Sequence, residues 1–363
     1  MLFQFIDLAF LFFFSLATLF LMRKVAQAIG LVDKPNARKC HNGAVPLVGG
    51  ISICISLLYF LFNNRDIIPH SELYGVCVAL LVIVGTLDDK FDLSFKLRFV
   101  VQAALSVAMM LLGGIELNTL GNMFGFGDVV LGWFGYVVTI LAVVGAINAF
   151  NMVDGIDGLL GGLSIVTFGG LALLLLHDGQ DSLAYLCVVL IAVLLPYILL
   201  NLGAFGRKYK VFMGDAGSML IGFTVIWFLL LSSQNGTNPP LRPVTALWLI
   251  ALPLMDMAAI MIRRIRRGDS PFKPDREHLH HIFQRLGLTS QQTLIVICLV
   301  ATGLASFGIY GEVSGIPEAT MFFGFIAMFF VYALLLAYVW RITSFVRAKL
   351  SQHRKIASKQ PEG

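Results

Sequence analysis

Apolar runs of about 20 residues recur along the whole chain, and they constrain its fold more than any other feature. Within a hydrocarbon layer a spanning segment must satisfy its own backbone hydrogen bonds, which favours helices. The chain is 58% hydrophobic and only 13% charged, whereas soluble domains have about 25% charged residues. The sequence therefore predicts an all-α polytopic membrane protein.

The apolar runs resolve into a predicted bundle of about 11 transmembrane helices, and a break or tilt in one of the shorter segments is compatible with this count. The first run lacks a basic start and a small-residue cleavage site, so we interpret it as a retained span. The predicted segments are residues 5–22, 45–62, 72–87, 98–115, 129–147, 159–176, 182–200, 216–232, 244–262, 291–310 and 317–340.

The basic residues fall almost entirely in alternate loops, which predicts the orientation of the chain. Only Arg65 and Arg242 lie outside five segments that hold the other 24 of the 26 lysines and arginines: residues 23–44, 88–98, 201–215, 263–290 and 341–363. The positive-inside rule then predicts a periplasmic N-terminus and a cytoplasmic C-terminus.

This pattern predicts one integral-membrane domain over residues 1–340, with a basic cytoplasmic tail over residues 341–363. Because no soluble basic domain accompanies the net charge of +5, nucleic-acid binding is not expected.

Three aspartates follow the third apolar segment in "TLDDKFDLSFKLR", residues 86–98. If the helix continues, Asp88 and Asp92 share one face at i,i+4, with Asp89 beside them. Carboxylates this close favour a cation or a proton. A solvated loop, neutralised by its own lysines and arginine, explains the pattern equally well.

Four polar residues lie between two apolar runs in "NAFNMVDGIDGLLGG", residues 148–162. Asn148, Asn151, Asp154 and Asp157 recur at three-residue steps, which on one helix predicts a single polar stripe. The interleaved glycines favour close backbone approach or a broken helix. Capping of a helix needs only one such residue and does not explain four. Ionisable residues at membrane depth usually have a function, so we favour a functional site.

A third motif, "RKYKVFMGDAGS", residues 207–218, places Asp215 between two glycines where a span begins. A helix start offers free backbone N–H groups, and the carboxylate adds a hard oxygen ligand. Together these suit Mg²⁺ and phosphate. The alternative is an aspartate that only caps its helix.

The longest predicted inner loop, residues 263–287, contains Arg276 followed by His278, His280 and His281. No cysteine or HExxH pattern accompanies the histidines, so zinc is poorly supported. Arginines and imidazoles suit a diphosphate or a sugar. Positive-inside segregation explains the arginines but not three clustered histidines.

Two softer features complete the candidate site. The segment "HNGAVPLVGG", residues 41–50, either lines the site or only marks the boundary between a loop and a helix with its glycines and proline. Asp256 lies about two turns inside its predicted span. It is expected to face the bundle interior, with an unknown partner.

The order of these motifs is similar to that of the polyprenyl-phosphate N-acetylhexosamine-1-phosphate transferase superfamily, over nearly the whole chain. The loop "SPFKPDREHLHH" and the segment "LVDKPNARKCHNGAVPLVGGIS" resemble the bacterial N-acetylglucosamine branch. The peptidoglycan branch has a different histidine loop.

The resemblance implies transfer of N-acetylglucosamine 1-phosphate from UDP-N-acetylglucosamine to undecaprenyl phosphate, with release of UMP and with Mg²⁺ or Mn²⁺ as cofactor. It further implies the first step of O-antigen lipopolysaccharide and enterobacterial common antigen synthesis, at the cytoplasmic face of the bacterial inner membrane. The expected partners are both substrates, the lipid bilayer and, as an option, a second copy in a homodimer.

The resemblance also implies roles for individual residues. It implies metal ligation by Asp215, with Asn151 beside it. It implies catalytic roles for Asp88, Asp89, Asp154 and Asp157. It implies substrate binding by Asn148, Asn151, Asp92, Arg276, His278, His280 and His281.

A phosphate monoester has a second pKa of about 6 and is a competent nucleophile near neutral pH. We therefore favour direct attack by the lipid phosphate, while a covalent aspartyl intermediate stays open.

Three alternatives remain at this point. The same chemistry with another UDP-N-acetylhexosamine differs only in the donor. An intramembrane Mg²⁺-dependent prenyltransferase would need a pair of DDxxD-like motifs, and one is present. A secondary transporter predicts internal repeats and charges at the membrane midplane, and we find no repeat.

Overall fold

The computed structural model describes residues 2–34, 43–234, 236, 239–270 and 278–338, without the side chains of residues 2 and 3. Thirteen α-helices, one 3-10 helix and two short strands form in these ranges. The first elements are α1 Leu2–Ile29, β1 Val32–Asp33, β2 Val45–Pro46, α2 Gly49–Asn63, α3 Ser71–Phe91, α4 Phe95–Gly113, α5 Phe134–Val153 and α6 Leu159–His177. The remaining elements are α7 Asp181–Asn201, a 3-10 helix Arg207–Tyr209, α8 Gly214–Gln234, α9 Pro243–Leu249, α10 Ala251–Arg266, α11 Leu279–Arg285, α12 Ser290–Val313 and α13 Glu318–Ala337.

The prediction of an all-α polytopic membrane protein is confirmed. Nine of the described helices are long and apolar enough to cross a membrane, and the pair α9–α10 would add a tenth span if counted as one. The one remaining predicted segment, residues 45–62, corresponds to α2, which has only 15 residues. The number of spans and the orientation of the termini stay predictions.

Helix α8 lies at the centre of the bundle, and its whole apolar stretch is buried. It packs against α2, α3 and α5. Small residues make this possible, since a Cβ atom added at Gly50 would lie 2.2 Å from the backbone nitrogen of Gly217. Close backbone approach at small residues is a common way to pack membrane helices. This close contact fixes the start of α8 against the start of α2.

The predicted span 244–262 is broken. Helices α9 and α10 meet at Ile250 with a bend of 82°. Pro253 explains the break, because it has no N–H to donate to the carbonyl of Leu249 in a continuous helix. The bend directs the basic end of α10 toward the pocket described below, which Arg264 helps to line.

Arg242, one of the two arginines outside the five basic segments, has a structural role at the end of the bundle away from those segments. The Arg242 guanidinium donates from Nε to Oε1 of Glu312 at 3.0 Å. It also donates to the carbonyls of Gly311 at 2.8 Å and Ile316 at 2.7 Å. These bonds tie α9 to α12 and to the turn before α13.

Candidate functional site

Polar residues from several helices converge at one end of the bundle. The last turn of α3 carries Asp88 and Asp89, the last turn of α5 carries Asn151, and the first turn of α8 carries Asp215. Arg98 of α4 joins them. We call these five residues the carboxylate cluster, and all belong to segments that the loop charges predict to face the cytoplasm.

Arg98 bridges two of the three carboxylates. Its Nη1 atom lies 2.6 Å from Oδ2 of Asp88 and 3.4 Å from Oδ2 of Asp215. The Asp88 side chain is almost fully buried, whereas that of Asp215 is 35% exposed. A buried carboxylate needs a partner to offset its lost hydration, and Arg98 supplies one. Asp215 is therefore the carboxylate that a ligand reaches most easily.

Asp89 holds the start of α8. Its Oδ1 atom accepts the backbone N–H of Asp215 at 2.8 Å, and its Oδ2 atom accepts that of Ala216 at 3.3 Å. The expectation of free N–H groups in this motif is therefore wrong for these two positions. The first turn of a helix leaves its N–H groups without intrahelical partners, and here a carboxylate from another helix provides the acceptors.

Asn151 orients Asp215 from the opposite side. Its Nδ2 atom donates to Oδ1 of Asp215 at 2.6 Å and to Oγ of Ser218 at 2.8 Å. The pairing of Asn151 with Asp215, which the resemblance implied, is present in the structure. Asn148, one turn earlier, instead donates to Oε1 of Gln102 at 3.2 Å.

The segment before Asp215 is fixed by the glycine-rich segment that leads into the first turn of α2. The N–H of Phe212 donates to the Pro46 carbonyl at 2.9 Å. In return, Gly49 and Gly50 donate to the carbonyls of Phe212 and Met213 at 3.0 and 3.1 Å. The described part of the predicted segment 41–50, residues 43–50, thus supports the site through its backbone.

The predicted polar stripe of Asn148, Asn151, Asp154 and Asp157 is wrong in its second half. Helix α5 ends at Val153, and Asp154 lies exposed at its cap. Gly158 follows with a φ of +79°, which a continuous helix excludes. The sequence had left a broken helix open, and the glycines produce that break.

Asp157 and its turn are held by residues near the 3-10 helix. Lys210 Nζ lies 2.6 Å from Oδ2 of Asp157. The N–H of Gly158 donates to Oδ1 of buried Asn201 at 2.6 Å, and Asn201 Nδ2 donates to the Val211 carbonyl at 2.8 Å. These contacts link the turn to the segment that leads into Asp215.

The histidine motif lies against the same turn. A Cβ atom added at Gly155 would lie 2.2 Å from Nε2 of His280, so only glycine fits beneath that ring. Burial, together with the neighbouring His281 and His278, lowers the pKa of His280 to about 3. His280 is therefore neutral at physiological pH. Its burial favours a packing role over the predicted direct contact with substrate.

His278 is oriented by the buried aspartate of α10. Its Nδ1 atom lies 2.9 Å from Oδ2 of Asp256. Asp256 Oδ1 accepts the N–H of Leu279 at 3.3 Å and the hydroxyl of Tyr332 at 2.5 Å. The prediction that Asp256 faces the bundle interior is confirmed, and its partners are now identified.

A pocket of about 240 Å³ opens beside the carboxylate cluster. Its walls combine cationic, amide and apolar side chains, which suits a phosphate attached to an apolar chain. We call it the polar pocket, and its lining residues are Phe95, Arg98, Phe99, Gln102, Asn148, Asn151, Met152, Met219, Arg264 and His278.

The donor set of the cluster fits a magnesium ion that is held by few protein ligands. No group of three or more His, Cys, Asp or Glu surrounds a single point in the described part of the chain. Mg²⁺ typically uses one or two carboxylates, substrate phosphates and several waters. Asp215 and Asp88 would supply the carboxylates, whereas Asn151 turns its Nδ2 atom toward Asp215.

Not every predicted residue joins the cluster. Helix α3 ends at Phe91, and Asp92 caps it in a left-handed conformation with φ of +53°. The shared face predicted for Asp88 and Asp92 is therefore wrong, because Asp92 has left the helix and is exposed. Arg276 and the tail 341–363 lie outside the described residues.

Sequence reasoning missed several residues that build the site. Arg98 was considered only as a charge that could neutralise a solvated loop, although it lies one turn into α4 and within reach of Asp88. Asn201 carried a signal that could have been used, namely an amide at the end of an apolar span. For Gln102, which meets Met219 across 117 residues, the local sequence gives no comparable indication.

Comparison with known proteins agrees with this arrangement. The family model described as Glycosyl transferase family 4 matches residues 71–233, which include the whole carboxylate cluster. A relative from Yersinia pestis is 53% identical over 98% of both chains. One from Escherichia coli K12 is 54% identical over 94% of this chain and 93% of its own.

A Haemophilus influenzae relative is 51% identical over 91% of this chain and 93% of its own. All three relatives are named undecaprenyl-phosphate alpha-N-acetylglucosaminyl 1-phosphate transferase. Identity at this level over nearly full length shows that the chain belongs to the family of undecaprenyl-phosphate alpha-N-acetylglucosaminyl 1-phosphate transferases.

Proposed function

We propose that the protein transfers N-acetylglucosamine 1-phosphate from UDP-N-acetylglucosamine to undecaprenyl phosphate, with release of UMP. The observation that carries this proposal is the convergence of Asp88, Asn151 and Asp215 beside the polar pocket. The names of the relatives support the same acceptor and sugar. Phosphoryl transfer depends on charge neutralisation and in-line positioning, and the cluster provides groups for both.

In the proposed reaction, an oxygen of the lipid phosphate forms a bond to the β-phosphorus of the donor. The bond between that phosphorus and the oxygen bridging to the α-phosphorus breaks, and UMP leaves. Arg98 and Arg264 line the pocket and would bind the lipid phosphate, while Lys210 would meet the nucleotide diphosphate. Asp215 and Asp88 would hold a Mg²⁺ or Mn²⁺ ion, which would neutralise the charge that develops on UMP.

The proposed location is the cytoplasmic face of the bacterial inner membrane, where the reaction would begin O-antigen lipopolysaccharide and enterobacterial common antigen synthesis. This rests on the loop charges and on the position of the cluster at the end of the bundle that carries them. A reporter fused after Lys349 should read as cytoplasmic, and an external reading would contradict the orientation. A homodimer stays a prediction.

The central experiment is a UMP-release assay on the purified protein with UDP-N-acetylglucosamine, undecaprenyl phosphate and Mg²⁺. The wild-type protein should release UMP, and EDTA should stop the reaction. Asp215→Asn should abolish release without lowering the melting temperature. Asp178→Asn, at an exposed helix end on the opposite side of the bundle, is the matched control. Full activity of Asp215→Asn would refute the assigned role of the cluster.

The same assay distinguishes the alternatives. UDP-N-acetylgalactosamine and the UDP-muramoyl-pentapeptide should each give less UMP than UDP-N-acetylglucosamine. A better rate with either would reassign the donor. Release of pyrophosphate from a prenyl diphosphate, without UMP release, would indicate a prenyltransferase instead.

A further inference from the structure

The loop between α4 and α5, residues 114–133, has a fixed structure although it contains no helix. The N–H of Leu120 donates to the Val129 carbonyl at 2.9 Å, which closes the loop on itself. At the end of α8, the Gln234 side chain accepts the N–H of Thr119 at 3.1 Å and donates to the Thr119 carbonyl at 3.1 Å. These bonds fasten the α4–α5 loop to the bundle at the end opposite the carboxylate cluster.

Several large apolar side chains of the α4–α5 loop point away from the bundle. Met123 is buried against the bundle, whereas Phe126 is 79%, Val130 75% and Trp133 78% exposed. The rings of Phe124 and Phe126 are stacked with their centroids 5.6 Å apart. The loop contains no lysine or arginine. A fixed backbone that presents a large apolar surface outward indicates an apolar partner.

The exposed apolar surface continues from the loop onto α5. Trp133 caps this helix and already has helical backbone angles, with φ of −60° and ψ of −26°. Trp133, Val137 and Leu141 therefore recur at four-residue steps along one side of the helix. All three side chains are exposed. Because α5 is long and apolar enough to cross a membrane, this row faces lipid, and Trp133 lies at the end of the row.

The length of α5 places Trp133 at the depth of a membrane surface. The helix has 20 residues, and a rise of about 1.5 Å per residue makes it about 30 Å long. The hydrocarbon core of a bilayer is also about 30 Å thick. Asn151 of the carboxylate cluster lies in the last turn of α5, and Trp133 precedes the first turn. With the cluster at one membrane surface, as the loop charges predict, Trp133 lies at the other surface, where tryptophan is enriched.

The tip of the loop reaches a second apolar helix, α13. The Phe124 ring packs edge-on against the ring of Phe322, with the centroids 5.3 Å apart. The next residue, Phe323, is exposed, and so is Phe330, which lies two turns later on the same side of α13. Phe126, stacked on Phe124, therefore lies near the start of another exposed apolar row. The α4–α5 loop thus extends across the end of α8 from one such row to the other.

We propose that the α4–α5 loop binds the phospholipid bilayer, with Trp133 and Phe126 inserted at the boundary between headgroups and acyl chains, on the side away from the carboxylate cluster. Phospholipid is the partner because both side chains extend exposed apolar rows of helices that can cross a membrane. The inference is independent of the proposed reaction. Its consequence is that the loop fixes the depth of α5, and hence the depth of Asn151 at the other end of that helix.

Tryptophan fluorescence tests this placement. Trp133 is one of four tryptophans in the chain, and Trp227 and Trp248 are buried. The full chain is placed in phosphatidylcholine nanodiscs, and the emission of Trp133 is obtained by subtracting the spectrum of Trp133→Phe. Bromine atoms attached to the acyl chains just below the headgroups should quench most of this emission. Bromine at the chain ends, or iodide in the buffer, should quench much less of it.

A second reporter and a matched control use the Trp133→Phe background. Phe126→Trp moves the reporter to the tip of the loop, where the same order of quenching is expected. Asp178→Trp is the control, since Asp178 is exposed in a polar turn at the same end of the bundle. Iodide should quench this control reporter more than either brominated lipid does. If Trp133→Phe lowers the melting temperature, Trp133→Tyr serves as the reference protein.

Every other order of quenching overturns the proposal. Stronger quenching of Trp133 by iodide than by bromine would place the loop in water, and strongest quenching from the chain ends would place it in the hydrocarbon core. Protection from all quenchers would show that protein covers the loop, and a dimer on size-exclusion chromatography would then identify a second copy as the partner. Equal quenching of Trp133 and the Asp178→Trp reporter by bromine below the headgroups would exclude a contact specific to the loop.

Discussion

Replacing Asp89 with alanine removes both acceptors that cap the first turn of α8. Loss of an N-cap acceptor costs about 0.5–2 kcal/mol. The Ala216 N–H also lies in a buried position, and a buried donor without a partner costs about 1–3 kcal/mol. Because the second bond is long at 3.3 Å, we expect the free energy of unfolding to fall by about 2–3 kcal/mol in total.

The assay is thermal unfolding of the purified protein in one detergent, combined with UMP release. Asp89→Ala should lower the melting temperature and the activity together, since α8 carries Asp215. Asp89→Asn keeps one acceptor oxygen and should lose about half as much stability. Asp178→Ala is the control for a removed carboxylate. An unchanged melting temperature in Asp89→Ala would refute the capping role.

Three further predictions concern other contacts. Gly50→Ala places a Cβ atom 2.2 Å from the α8 backbone and should destabilise by at least about 1–3 kcal/mol, whereas Gly169→Ala, with no neighbour within 4 Å, should keep the melting temperature. The folded-state pKa of His280, about 3, lies below the unfolded value of about 6.5. Stability should therefore be complete above pH 6.5 and fall toward pH 3, by about 1 kcal/mol between pH 7 and 5.5. His280→Asn should flatten that profile of melting temperature against pH. Lys210→Met frees Asp157 and should raise the KM for UDP-N-acetylglucosamine severalfold in initial-rate assays. Its melting temperature should change little, because partly exposed ion pairs contribute less than about 1 kcal/mol; an unchanged KM would argue against contact with the donor.

The hydrophobic pattern predicted the helices well, because a membrane-spanning helix can be recognised from the length and apolar composition of its own segment. Each of the eleven predicted segments overlaps an apolar helix or the bent pair. The boundaries were harder, since α5 continues through Asn151 while the prediction ended at residue 147. Polar side chains that point into a protein interior do not end a helix, although they interrupt an apolar run.

The motifs predicted which residues meet better than they predicted the contacts that each residue makes. Asp88, Asn151 and Asp215 meet as expected, whereas Asp89 caps a helix that begins 125 residues later. Such a contact depends on helices packing side by side, and no local spacing encodes it. Whether Asp154 lies inside or outside α5 depends on where that helix ends. The four glycines of residues 148–162 allowed several possible ends, so the sequence alone did not decide it.

The central position of α8 has a consequence for how the chain is assembled during synthesis. Its partners α2, α3 and α5 all precede it in the sequence, so a chain that enters the membrane in order has already made the surfaces that surround it. Helix α8 can then leave the insertion machinery directly into protein, with little time against lipid. The acceptors on Asp89 are present before the N–H groups that need them, whereas Tyr332 enters last and completes the arrangement around His278.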